Sequence, residues 1–213
     1  MLPAFLDPAE LEAGVDEAGR GALAGPVVAA AVVWNAEVTG GPAARIRDSK
    51  RLTRLQREAL RPYIEDEAVA WSVCFVPPED VDRLNVWGAT MAAMRGALDG
   101  LDVDVDRVLV DGPHFAGYAS RRTGELVPYT CIEGGDDAVL SIAAASVLAK
   151  THRDAHVRAA LAPAHPGYGW EGNVGYGSAE HVRAIRELGL TPHHRHSFGP
   201  CRPGVAPPTT RIG

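Results

Sequence analysis

Four carboxylates stand where a mixed α/β sheet would present its functional edge. Asp16 and Glu17 close an apolar run near the N-terminus, Asp111 closes a second run (Arg-Val-Leu-Val-Asp), and Asp136 precedes a long helical pattern. Strand ends and the loops leaving them are where a rigid scaffold exposes side chains for chemistry. Hard divalent cations take oxygen ligands, and Mg²⁺ keeps several waters while accepting a few carboxylates. Three or four acids at one point would repel strongly without cations. With two cations roughly 3.5–4 Å apart, such a site activates a water and stabilises the leaving oxygen of a phosphodiester. Each acid also has an ordinary structural explanation. Adjacent strand residues such as Asp16 and Glu17 point to opposite faces, Asp111-Gly112-Pro113 is good turn chemistry, and Asp136 is a natural helix N-cap. Periodicity does not decide between the two.

Other chemistries find less support. His193, His194, His196 and Cys201 lack the paired spacing of a tetrahedral zinc site, so these histidines are expected at the surface near phosphate. No Cys–His or Ser–His nucleophile signature accompanies them. The loop Gly19-Arg20-Gly21 lets backbone approach a sugar closely, and its amides and carbonyls suit a 2′-hydroxyl. A bare hairpin turn is its structural alternative.

The elements that must hold these residues follow from apolar periodicity. Strands are expected over residues 11–16, 27–34, 70–76, 107–110 and 126–132. Thr53 caps a helix to about Glu67 with an apolar stripe of Leu52, Leu55, Leu60 and Ile64. A second helix starts at about Glu79 and buries Leu84, Trp87, Met91, Met94 and Leu98. A third, capped by Asp136 or Asp137, spans residues 138–161; its Ala143-Ala144-Ala145-Ser146 patch lets it lie close to a sheet. Ser178 caps a last helix to Leu188, stopped by Gly189. The expected organisation is one catalytic domain over residues 1–200, with a small helical C-terminal part over 163–200 and a flexible tail over 201–213.

With 213 residues, 46% hydrophobic and 23% charged, the chain can bury a full core. No apolar run reaches membrane-spanning length, and neither a membrane span nor a secretion signal is expected. Three separated cysteines suit a reduced, cytoplasmic protein, and a monomer is the default expectation. The net charge of −6 argues mildly against a nucleic-acid partner. Local basic tracts, Lys150 to Arg158 and His193 to His196, leave that partner open.

The glycine-rich opening, Gly14-Val15-Asp16-Glu17-Ala18-Gly19-Arg20-Gly21 followed by Gly25-Pro26-Val27-Val28, resembles the signature of the ribonuclease HII family. Further blocks follow in the family's order. They are Asp48-Ser49-Lys50, Val110-Asp111-Gly112, residues 144–154 (AASVLAKTHRD), Gly175-Tyr176-Gly177-Ser178 with His181, and His194-Arg195 with Ser197-Phe198. Together they span about residues 11–200.

This resemblance implies a ribonuclease H-like fold with a five-stranded mixed sheet flanked by helices. It implies that Asp16, Glu17, Asp111 and Asp136 bind Mg²⁺ or Mn²⁺; the offset of ten from Ser146 favours Asp136 over Asp137. Implied substrates are RNA–DNA hybrids and DNA duplexes containing ribonucleotides, the latter cut on the 5′ side of the ribonucleotide. Attack by a metal-activated water would leave 5′-phosphate and 3′-hydroxyl ends. The Gly19-Arg20-Gly21 loop would recognise the ribonucleotide and Tyr176 the adjoining deoxyribose. Lys150 and Arg153 are expected on the duplex backbone, with a solvated helix face as the alternative, and Lys50 fits either role. At 1.5 Å per residue Lys150 lies about 20 Å along its helix from Asp136, beyond reach of the same cations. Gly134 and Val174 replace lysines common in the family, which bears on substrate binding rather than on chemistry. No aromatic clamp-binding motif is present in the tail.

Overall fold

The structure, a computed structural model, describes residues 2–202. Its centre is a five-stranded sheet in the order β3-β2-β1-β4-β7. β1 (Glu12–Ala18), β2 (Val27–Val33) and β3 (Ala70–Val76) form an antiparallel meander. β4 (Arg107–Asp111) and β7 (Tyr129–Ile132) add in parallel beyond β1. Between them, β5 (Tyr118–Ala119) and β6 (Leu126–Val127) make a small separate hairpin. The single strand expected over 126–132 is therefore two pieces. Pro128 separates them because it has no N–H to give a ladder, though its carbonyl accepts from Val108 N at 2.9 Å.

β2, the run VVAAAVV, is buried along its whole length because helices cover both faces of the sheet. Alternate residues divide between two cores. Ala13, Val15, Val27 and Ala29 pack with Met91, Met94 and Ala97 of α2 (Pro78–Asp99). Ala30 and Val32 pack with Leu60 and Ile64 of α1 (Arg54–Glu67) and with Ala143, Ala144 and Val147 of α3 (Leu140–His156). α3 crosses β1 at backbone contact: a Cβ on Gly14 would lie 2.3 Å from Ile142 N. That closeness brings α3 onto the strand that carries Asp16.

Local sequence explains the helix boundaries, including those that differ from expectation. Thr53 caps α1 with a reciprocal box: Thr53 Oγ1 accepts from Gln56 N at 3.3 Å and Gln56 Oε1 from Thr53 N at 2.8 Å. Leu55 is 75% exposed rather than in the stripe, because it lies about 140° around the helix from Leu60. In α2, Asn85 adopts φ 58° and its Oδ1 accepts from Trp87 N and Gly88 N, restarting the helix as an internal N-cap. The restart shifts the apolar phase. Met91, Met94 and Leu98 stay buried, while Trp87 comes out 42% exposed, edge-on to His114.

α3 begins at Leu140 behind the extended residue Val139, not at an acidic cap. Asp136 and Asp137 lie instead in a 3₁₀ turn, Gly135–Asp137, entered through Gly134 at φ 67°. α3 continues through a π-helical stretch, Val157–Leu161, into the single turn α4 (Ala162–Ala164). α5 (Trp170–Asn173) and α6 (Ala179–Leu188) follow, α6 capped by Ser178 as expected. These elements build a third core from Leu23, Leu161, Tyr168, Trp170, Val174 and Cys201. Cys201 is buried in a 3₁₀ turn, so the chain is still folded where the tail was expected to begin. The rest of that expected tail, residues 203–213, lies outside the described residues.

Candidate active site

The parallel register pairs Val15 with Val110, so Asp16 and Asp111 follow side by side on the face turned to α3. Asp136 reaches them from the 3₁₀ turn, and its backbone N donates to Asp111 Oδ1 at 3.4 Å. One carboxylate oxygen from each of Asp16, Asp111 and Asp136 lies within 4.8 Å of the others. Asp16 and Asp136 are buried and Asp111 is half-buried. Asp137 turns outward to pair with Arg51 at 2.7 Å, which separates it from its neighbour. Glu17 borders the same cavity, but strand alternation leaves it outside the trio; its Oε1 accepts from Arg20 at 3.1 Å.

The trio is electrostatically costly as it stands. Burial, then the charges of Glu17 and Asp111, push the Asp16 carboxyl well above the usual carboxylate range, against a hydrogen bond from Ser146. Burial, then Asp111 and Asp48, push Asp136 up to about 6. Burial likewise raises Glu17, against the pull of Arg20. Lys50 Nζ sits 3.6 Å from Asp136 Oδ2. Burial works against the Lys50 charge, yet Asp136 and Asp16 hold its pKa above the ordinary lysine value.

A divalent cation fits this donor set. Asp136 Oδ2 is buried with no hydrogen-bond partner, and the three converging ligands are all hard carboxylate oxygens. The histidines offer no rival centre. His194 is buried rather than at the surface: its Nδ1 accepts from Thr191 N and its Nε2 meets His181 Nε2 at 3.1 Å. Burial and His181 hold it down to about 4, so it is a neutral core residue.

Above the acids lies a cavity of about 370 Å³, bordered by residues 16–21, Ser49, Lys50, Lys150 and Tyr176. Gly21 is exposed, and a Cβ there would meet nothing within 4 Å. Lys150 borders the cavity although it was expected beyond reach of the acids. The relevant distance runs from Ser146, which bonds Asp16, and Lys150 is one turn further, about 6 Å. Lys150 Nζ bonds Asp154 Oδ1 at 3.0 Å and sits 4.9 Å from the Tyr176 ring centroid.

Arg153 overturns its expected role. It is completely buried, and Nε, Nη1 and Nη2 each donate to a backbone carbonyl, on Pro26, Val174 and Ala24. No donor is left facing a duplex. Arg195, also fully buried, grips Gly25 O and Arg20 O. Sequence reasoning gave Arg195 and the Ser49–Ser146 hydroxyl pair (2.8 Å) no role; only their presence inside the motif blocks pointed to them. Val174 is buried, so its side chain faces the third core rather than the cavity.

Comparison with known proteins places the chain in a family. A family profile described as Ribonuclease HII matches residues 13–201. Ribonuclease HII of Porphyromonas gingivalis is 43% identical over 198 residues, covering 93% of this chain and 94% of that protein. Its counterpart in Novosphingobium aromaticivorans is 49% identical over 196 residues, covering 88% and 94%. The crystal structure of ribonuclease H2 from Pyrococcus horikoshii shares the fold, with a TM-score of 0.70 and 24% identity over 90% of this chain and 95% of that one. The chain belongs to the ribonuclease HII family and is an endonuclease, a hydrolase of phosphodiester bonds.

Proposed function

We propose that the chain cuts the RNA strand of RNA–DNA hybrids and incises DNA on the 5′ side of embedded ribonucleotides, leaving 5′-phosphate and 3′-hydroxyl ends. The observation carrying this reading is the meeting of Asp16, Asp111 and Asp136 from three separate elements beneath a glycine loop and a tyrosine. Asp16, Asp111 and Asp136 hold Mg²⁺ or Mn²⁺, and Glu17 completes the acid set from the adjoining strand position. Bound there, two such cations supply an activated water and stabilise the leaving oxygen.

The chain's own groups do the rest. Asp16 is kept oriented by Ser146, and Lys50 offsets charge beside Asp136. The open backbone at Gly21, with Gly19 and Arg20, meets the ribose 2′-hydroxyl. Tyr176 packs on the next sugar, a deoxyribose at the RNA-to-DNA junction. Lys50 and Lys150 meet the phosphate backbone, whose binding is dominated by such cations. The chain works as a monomer; its free cysteines suit the reducing cytoplasm. Among the described residues no helix is long and apolar enough to cross a membrane.

The test is a duplex with one ribonucleotide in a DNA strand, assayed with EDTA, then with Mg²⁺ or Mn²⁺ restored. Metal-dependent cutting 5′ of the ribonucleotide is the expected result. Cleavage that survives thorough chelation, or a requirement for a long ribonucleotide run, contradicts the reading.

A further inference from the structure

Two arginines in this fold are fully buried and spend their guanidinium donors on backbone carbonyls. Burying such a charge is costly unless its donors are satisfied, so the position must hold something that cheaper residues cannot. For Arg153, the three carbonyls come from two segments far apart in sequence. Ala24 and Pro26 belong to the loop after β1, while Val174 lies beside Tyr176. The guanidinium carbon also sits 4.9 Å from the centroid of the Tyr176 ring.

The glycine loop is shaped around this side chain. A Cβ on Gly19 would fall 2.1 Å from Arg153 Nε and 2.7 Å from Pro26 O, and φ at Gly19 is 91°. Gly19 is therefore a glycine because Arg153 occupies the space beside it. The tyrosine segment is shaped to match. Val174, a β-branched residue, is held in the left-handed region at φ 44°, the conformation in which its carbonyl accepts from Arg153 Nη1 at 2.9 Å. Leu23 N and Ala24 N both donate to Gly175 O, closing the two segments together.

We propose that Arg153 is a positioning residue that fixes the Gly19-Arg20-Gly21 loop and Tyr176 as one rigid frame, so that the sugars on either side of the RNA-to-DNA junction are measured against each other. It touches no substrate itself. The inference rests on the reading that the loop meets the ribose and Tyr176 the neighbouring deoxyribose. A side chain that only glued the fold would affect every substrate alike. A frame matters most where the two sugars differ.

The test is Arg153→Lys, which keeps a buried cation but lacks the planar fork whose three separate nitrogens reach the three carbonyls. kcat and KM are measured on a singly ribo-substituted duplex and on a long hybrid, with a double-mutant cycle against Tyr176→Ala. Expected is about a tenfold loss of kcat/KM on the single-ribonucleotide duplex, the scale of a lost charge-assisted hydrogen bond, and about twofold or less on the hybrid. The two substitutions should be clearly non-additive on the junction substrate. Equal losses on both substrates, or additivity, overturn the inference. Failure of the unaltered protein to cut the single-ribonucleotide duplex would instead sink the functional reading. Hydrogen exchange on the unaltered protein decides the matter even if Arg153→Lys does not fold. The amides of residues 19–25 and 174–176 should open with one common rate, and independent rates overturn the coupling.

Discussion

The amide of Asp136 donates to Asp111 Oδ1 at 3.4 Å, tying the turn before α3 to the end of β4. This contact draws a residue with the makings of a helix cap into the acid cluster, where burial, then the charges of Asp111 and Asp48, push its carboxyl up to about 6. The pH behaviour follows from the sign of that shift. A carboxyl whose folded pKa is raised binds its proton more tightly when folded, so its contribution favours folding at low pH. That contribution is lost as pH climbs from the ordinary carboxylate range through about 6. In metal-free protein the stability difference between the native chain and Asp136→Asn should therefore move against the native chain across that window. Added Mg²⁺ or Mn²⁺ should reverse it above pH 6, because cations bind the ionised form. Thermal melts of both proteins with and without metal check this; parallel profiles would count against the cluster.

Tyr176→Ala should reduce cleavage of a singly ribo-substituted duplex more than cleavage of a long hybrid. Its ring borders the cavity between Lys150 and Arg153, and a long hybrid offers many equivalent positions without a junction. Equal loss on both substrates would remove the junction role.

Lys150→Ala should weaken duplex binding about uniformly across sequences and flatten the salt dependence by about one unit of slope. Its ammonium group borders the cavity 4.9 Å from the Tyr176 ring centroid, and Asp154 steadies it at 3.0 Å. Titrations at several salt concentrations measure the slope. An unchanged slope would place Lys150 off the phosphate path.

Asn85→Ala should destabilise the fold by about 1–2 kcal/mol through loss of an N-cap, without altering cleavage at permissive temperature. Asn85 Oδ1 caps the second half of α2 and the residue sits at φ 58°, where alanine is strained. Chemical denaturation reads the loss. A change within a few tenths of a kcal/mol would show that the restart of α2 does not depend on this cap.

Much of the fold was legible because its signals are local. The apolar run over residues 27–34 reads as a strand, and Thr53 before its helix as an N-cap, wherever they occur. Strand ends also marked Asp16 and Asp111. What sequence left open depended on tertiary geometry. Asp136 and Asp137 are equivalent caps on paper, and only the 3₁₀ turn sends one inward and the other to Arg51. Trp87 fitted an apolar stripe until Asn85 reset the helix phase. Arg153 followed Lys150 in a basic tract, and three residues apart on a helix the two are neighbours on one face, each 4.9 Å from the Tyr176 ring. Only the carbonyls of Ala24, Pro26 and Val174, brought in by tertiary packing, bury Arg153 while Lys150 stays at the cavity.

The central claim is that Asp16, Asp111 and Asp136 act together on cations rather than as separate strand-end and turn residues. The most direct measurement is Asp111→Asn, assayed for cleavage of the singly ribo-substituted duplex and for binding of the same duplex. The account expects turnover to fall by about a hundredfold to a thousandfold or more, the scale of removing a charge-stabilising group, while binding is retained. Near-normal turnover by Asp111→Asn, with Mg²⁺ or Mn²⁺ present, would contradict it.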